Sequence, residues 1–226
     1  MNPTNPTNPT THPTTHEART VVVVTAGLSQ PSQTRLLADR LAAATARELE
    51  RDGHGVQIEV VELREHAHAI MDAMLTGFAG GNLARAIDEL TRADGVIAVT
   101  PLFTTTYSGL FKSFVDILDK DALTNMPVLL AATGGTPRHS LALDYSVRPL
   151  FTYLRADVVP TAVFAATDDW AKDGGTGHDT DRDASPLPDR IDRAARALAD
   201  RVAARRNDGP ADPFATTPSF LDLLDG

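Results

Sequence analysis

Cysteine is absent from this 226-residue chain. That excludes disulfides, thiol nucleophiles, thiolate zinc sites and cysteine-ligated iron–sulfur clusters. No run approaches the roughly 20 apolar residues needed to cross a bilayer. Met1-Asn2-Pro3-Thr4 lacks a charged segment followed by an apolar block, so no signal peptide is expected. Cations are in deficit, with 21 Lys and Arg against 30 Asp and Glu and a formal charge of −9. That balance argues against nucleic-acid or anionic-membrane partners. Also missing are the dinucleotide pattern GxGxxG, the nucleoside-triphosphate pattern GxxxxGK followed by Ser or Thr, and the zinc pattern HExxH. His66-x-His68 is not read as a metal pair, because i and i+2 point apart on a helix. A soluble cytoplasmic protein without metal is the expectation.

What is present suits one domain with tails. Asn-Pro-Thr occurs three times over residues 2–10, and 1–17 reads as a disordered tail because nothing in it buries apolar surface. Thr20-Val21-Val22-Val23-Val24-Thr25 is a β-branched run of the kind covered on both faces. A helix over about 34–51 follows, with Leu37, Leu41, Ala44 and Leu49 spaced along one side and Gly53 and Gly55 ending it. Further strands are predicted at Gln57–Leu63, Gly95–Thr100, Pro127–Thr133 and Val158–Ala165, with helices at about 64–76, 82–93, 108–119, 140–155 and 185–206. Residues 168–183 read as loop, and the last helix carries Ile191, Ala195, Leu198 and Val202 on one stripe.

This alternation implies an α/β fold: a flavodoxin-like doubly wound sheet of five parallel strands, order 2-1-3-4-5, with helices on both faces over residues 18–207. Such sheets bind ligands beyond the carboxyl ends of their strands, where the winding reverses. Residues 208–226 form a C-terminal extension with Phe214, Phe220, Leu221, Leu223 and Leu224 in an acidic setting. It either patches its own domain or docks on a second subunit.

Three loops carry the chemistry. After the first strand, Gly27-Leu28-Ser29-Gln30-Pro31-Ser32-Gln33-Thr34 places hydroxyls and backbone amides at a helix start, which suits a phosphate monoester. The plainer reading is that Ser32 or Thr34 caps the helix. After the third strand, Pro101-Leu102-Phe103-Thr104-Thr105-Thr106-Tyr107 offers apolar faces and backbone donors to a flat heteroaromatic ring, unless Phe103 and Tyr107 are core residues. After the fourth, Thr133-Gly134-Gly135 lets the backbone approach a ligand closely. Arg138 and His139 beyond it either add positive charge or open the next helix.

Leu28-x-x-x-Ser32-x-Thr34, Thr100-Pro101-x-Phe103 running into Gly109-Leu110-x-Lys112-Ser113-x-x-Asp116, and Thr133-Gly134-Gly135 together resemble the NADPH-dependent FMN reductases, in a branch that accompanies luciferase-like flavin-dependent monooxygenases. The resemblance implies FMN, NADPH or NADH as donor, and a homodimer or homotetramer. Ser29, Gln30, Ser32, Gln33 and Thr34 would hold the FMN phosphate. Pro101, Leu102, Phe103 and Thr104 would line the isoalloxazine, and Thr133, Gly134 and Gly135 would touch its pyrimidine side. Hydride would pass directly between the two rings, so no residue is assigned a catalytic role. Two departures stand out: many relatives have Arg where Ser29 stands, and Leu102-Phe103-Thr104 replaces Glu-Tyr-Asn. The expected activity is FMN reduction for a monooxygenase. The alternatives are an FMN-bound quinone or azo reductase and, last, a flavodoxin-type electron carrier.

Overall fold

The computed structural model describes residues 16–172 and 185–205. Residues 1–15, 173–184 and 206–226 lie outside them. With those residues go most of the N-terminal tail reading, most of the 168–183 loop and the whole C-terminal extension. Strand β1 (His16–Thr25) starts two residues inside the segment read as tail.

Around β1 the sheet is built as the alternation implied. β2 (His54–Glu62) and β3 (Gly95–Phe103) flank β1, β5 (Pro127–Gly134) adds to β3, and all pair in parallel. The fifth strand comes in two pieces, β6 (Asp157–Val158) and β7 (Val163–Ala166), both parallel to β5. Pro160 explains the break, since it has no N–H for the ladder. Arg148 occupies the gap, donating to the Val159 and Pro160 carbonyls at 3.1 Å each. The order 2-1-3-4-5 therefore holds, with its last member interrupted. A short β4 (Thr106–Tyr107), which the sequence did not announce, pairs antiparallel with the end of β3.

The valine run shows why both faces are covered. Val21 and Val23 pack under α1 (Gln33–Arg51) and α7 (Leu187–Ala204). Val22 and Val24 pack on the opposite side, under α2 (Ala67–Thr76), α3 (Gly81–Arg92), α4 (Gly109–Asp116) and α5 (Arg148–Tyr153). Successive side chains on a strand point to opposite faces, so only an unbroken apolar run serves two layers. Ile191, Ala195, Leu198 and Val202 of α7 are all buried, as their stripe predicts.

One predicted helix, 140–155, is not continuous. A 3-10 turn (Pro137–His139) and a π turn (Leu143–Val147) precede α5. Pro149 cannot donate, and in a regular α-helix its ring would meet the carbonyl four residues back. The wider π turn accommodates it. Part of the predicted 168–183 loop is helical as well, as α6 (Thr167–Lys172).

At the amino ends of the strands, Asp94 ties three elements together. Its carboxylate accepts from Arg19 Nη1 at 3.1 Å and from the Thr20 N–H at 2.8 Å. Arg205, just past α7, donates to the neighbouring Ala93 carbonyl at 2.9 Å.

Candidate functional site

At the opposite end, beyond the carboxyl ends of β1, β3 and β5, the three loops meet around a cleft of about 550 Å³. This is within the range of small-ligand pockets, roughly 300–1,000 Å³. The first loop contributes Ser29, Gln33 and Thr34, the second Pro101, Leu102 and Phe103, and the third Thr133, Gly134 and Gly135. Leu28 and Phe103 stand at its rim about half exposed, at 52% and 47%.

Beneath the cleft, the Thr34 and Thr133 hydroxyls hydrogen-bond at 2.8 Å, and both residues are buried. The start of α1 is thereby joined to the end of β5. Gly134 lies against the Phe164 ring, where a Cβ would come within 2.8 Å of Cζ. That position admits only glycine without displacing the ring.

Three predicted residues do not border the cleft, and each has an identifiable occupation. Ser32 is the N-cap of α1, its Oγ accepting from the Arg35 N–H at 3.2 Å. The capping alternative is thus realised, and the hydroxyl proton remains available to an anion. Gln30 turns to the side: in the orientation that satisfies both groups, its amide oxygen accepts from Arg64 Nη1 at 2.7 Å. Thr104 forms the tip of a hairpin with Thr105, at φ of 49° and 74°. The second loop is therefore a two-residue turn that takes both residues left-handed, a costly conformation for β-branched side chains. Thr100 anchors it, donating to the Pro101 carbonyl at 3.0 Å and accepting from the Ser108 N–H at 3.1 Å.

Thr167, also on the cleft wall, was missed. The signal was available, because the rule that ligands lie beyond strand carboxyl ends applies equally to the fifth strand. Leu28 and Pro31, members of the first loop, border the cleft too.

Charge collects beside the first loop. Arg35 Nε meets Asp39 at 2.7 Å, Arg64 Nε meets Glu62 at 2.8 Å, and Arg35 Nη1 also contacts Glu62. The Asp39 hydrogen bond, aided by the charges of Asp39 and Glu62, raises Arg35 above its ordinary pKa in spite of partial desolvation. Lys112 and Asp116 of the sequence motif pair at 2.6 Å on the outer side of α4.

Hydroxyls at a helix start, apolar walls and a glycine-lined backbone fit a flat ring with one monophosphate arm, which is the shape of FMN. Together, fold and cleft define the class of flavodoxin-like proteins with a ligand site beyond the strand carboxyl ends. The chain matches the family description NADPH-dependent FMN reductase over residues 19–171. It belongs to that family. An FMN reductase (NADPH) from Pseudomonas aeruginosa is 37% identical over 150 residues, covering 66% of this chain and 78% of the relative. The NADH-dependent FMN reductase SfnF from Pseudomonas fluorescens is 33% identical over 179 residues, 79% of this chain and 89% of its own. Among solved structures, an oxidoreductase from Corynebacterium diphtheriae superposes with a TM-score of 0.76 at 42% identity, covering 84% of this chain and 99% of the other.

Proposed function

We propose that this chain is an NAD(P)H-dependent FMN reductase that binds FMN in the cleft beyond β1, β3 and β5 and delivers reduced FMN to a flavin-dependent monooxygenase. The observation that carries the reading is the meeting of three loops, far apart in sequence, around one cleft in a chain of this family. When bound, FMN supplies the redox chemistry by accepting hydride from the nicotinamide. The protein binds and orients. Ser29, Ser32 and Gln33 offer donors to the phosphate, while Gln30 is held to the side by Arg64. Pro101, Leu102 and Phe103 form the wall for the ring, Thr104 lies outside it at the hairpin tip, and Thr133 holds the floor through Thr34. Gly134 and Gly135, on the cleft wall, would lie along the pyrimidine edge, where fixed backbone donors would stabilise developing negative charge. Holding nicotinamide and flavin in one cleft would contribute to rate through positioning.

Steady-state oxidation of NADPH and NADH with FMN as varied substrate tests this. Saturable dependence on added FMN is expected. Tightly retained FMN with dependence on a quinone overturns the reading in favour of a quinone reductase, and no oxidation of either donor overturns it altogether.

Ser32→Ala should lower stability by about 1 kcal/mol through the lost cap. It should also weaken FMN by about 1 kcal/mol, through a lost hydrogen bond to charge, while riboflavin binding hardly changes. Titration with both flavins checks this, and equal losses would leave Ser32 a cap only.

A homodimer or homotetramer is part of the reading. Met71, Met74, Leu75 and Phe78, on α2 and the turn after it, are 50%, 44%, 80% and 78% exposed. These exposed apolar side chains support a surface that another chain would cover. A cytoplasmic location suits this reading, and no helix among the described residues is long and apolar enough to cross a membrane.

A further inference from the structure

We infer that Glu62 is an internal counter-anion that occupies Arg35 and Arg64 beside the phosphate loop, and so weakens the hold on the 5′-phosphate enough for reduced FMN to leave as product. This rests on the FMN reading above. Glu62 ends β2 and pairs across the sheet with Thr25, the last residue of β1 before the loop. Arg35 stands in the first turn of α1, its own N–H held by Ser32 Oγ. Arg64 reaches the loop from the other direction, through Gln30. Two guanidinium groups so placed are the side chains best suited to grip a phosphate dianion. Both are already engaged. Glu62 takes a nitrogen from each, and Asp39 takes Arg35 Nε. Arg64 Nη2 also lies 3.9 Å from the exposed Glu65, so two cations against three carboxylates leave no positive charge to spare. An arriving phosphate competes with Glu62 for these guanidinium groups and meets its repulsion. The side chains of Arg35, Arg64 and Glu62 are 35%, 23% and 21% exposed, so water screens the effect without cancelling it.

The test measures FMN and riboflavin dissociation constants, at low and high salt, for the unaltered protein, Glu62→Gln, Arg64→Gln and the double variant. Glu62→Gln should tighten FMN by about tenfold at low salt, with riboflavin unchanged and the gain fading as salt rises. The KM for FMN should fall with it. Arg64→Gln alone should weaken FMN at low salt, because it leaves the Glu62 charge less compensated beside the phosphate, and it should erase the gain when added to Glu62→Gln. Overturning results are an unchanged or weaker FMN affinity in a Glu62→Gln protein that melts like its parent, equal tightening of FMN and riboflavin, or an Arg64→Gln protein that binds FMN as tightly as its parent. A change confined to the KM for NADPH, absent with NADH, would assign the arginines to the donor's phosphate and also overturn the inference. If the unaltered protein bound neither flavin, the FMN reading would fall and this inference with it; every other negative result leaves that reading standing.

Discussion

Gly27→Val should lose FMN binding by at least about tenfold and stability by about 2–4 kcal/mol, adding overpacking to a lost cap. Gly27 begins the first loop, and its bare backbone is where the loop folds back on itself. A Cβ there would lie 2.1 Å from Ser32 Oγ and 3.2 Å from the Cβ atoms of Ser32 and Thr34. The hydroxyl alone could rotate aside, at the expense of its bond to the Arg35 N–H. The two Cβ contacts move only if the loop moves, and Thr34 is fixed to Thr133 beneath the cleft. The substitution therefore acts on the phosphate donors and the cleft floor together. FMN titration and a thermal melt measure it, and a Gly27→Val protein that binds FMN as its parent does would show that the loop is not part of the site.

Asp94→Ala is expected to have the largest effect on stability, about 3–5 kcal/mol, because it strands a buried cation. The Asp94 and Arg19 side chains are 3% and 12% exposed. Removing the carboxylate leaves the Arg19 guanidinium without its countercharge and the Thr20 N–H without its acceptor. Domains of this size lose about 2–4 °C of melting temperature per kcal/mol, so the melt should fall well clear of error. Lys112→Ala breaks an exposed pair instead and should cost less than about 1 kcal/mol. Similar losses from the two would mean that the Asp94 cluster contributes no more than a surface contact. Since Asp94 sits at the amino ends of the strands, the folded fraction should bind flavin as before.

Burial was the property most legible in the sequence. The run Val21–Val24 and the stripe of α7 announced two covered faces, and from the alternation came the sheet order and the strand ends that border the cleft. Hydrogen-bond partners were not legible. Gln30 and Ser32 stand in the right loop by residue type, yet one turns to Arg64 and the other caps α1, outcomes that depend on residues brought close only by folding. Pro149 and Pro160 were visible, but whether a proline ends an element or merely widens it depends on what fills the gap, here a π turn and the Arg148 side chain. The hairpin at Thr104–Thr105 escaped notice because threonine is a poor candidate for a left-handed turn, and a two-residue β4 is too short to show any period.

The Thr34–Thr133 bond joins positions 99 residues apart. It fixes the separation of the α1 start from the β5 end by one short contact and not by the slack of two loops. The cavity consequently has a floor of set width, and under the FMN reading proposed above that width is the measure a ligand would have to match.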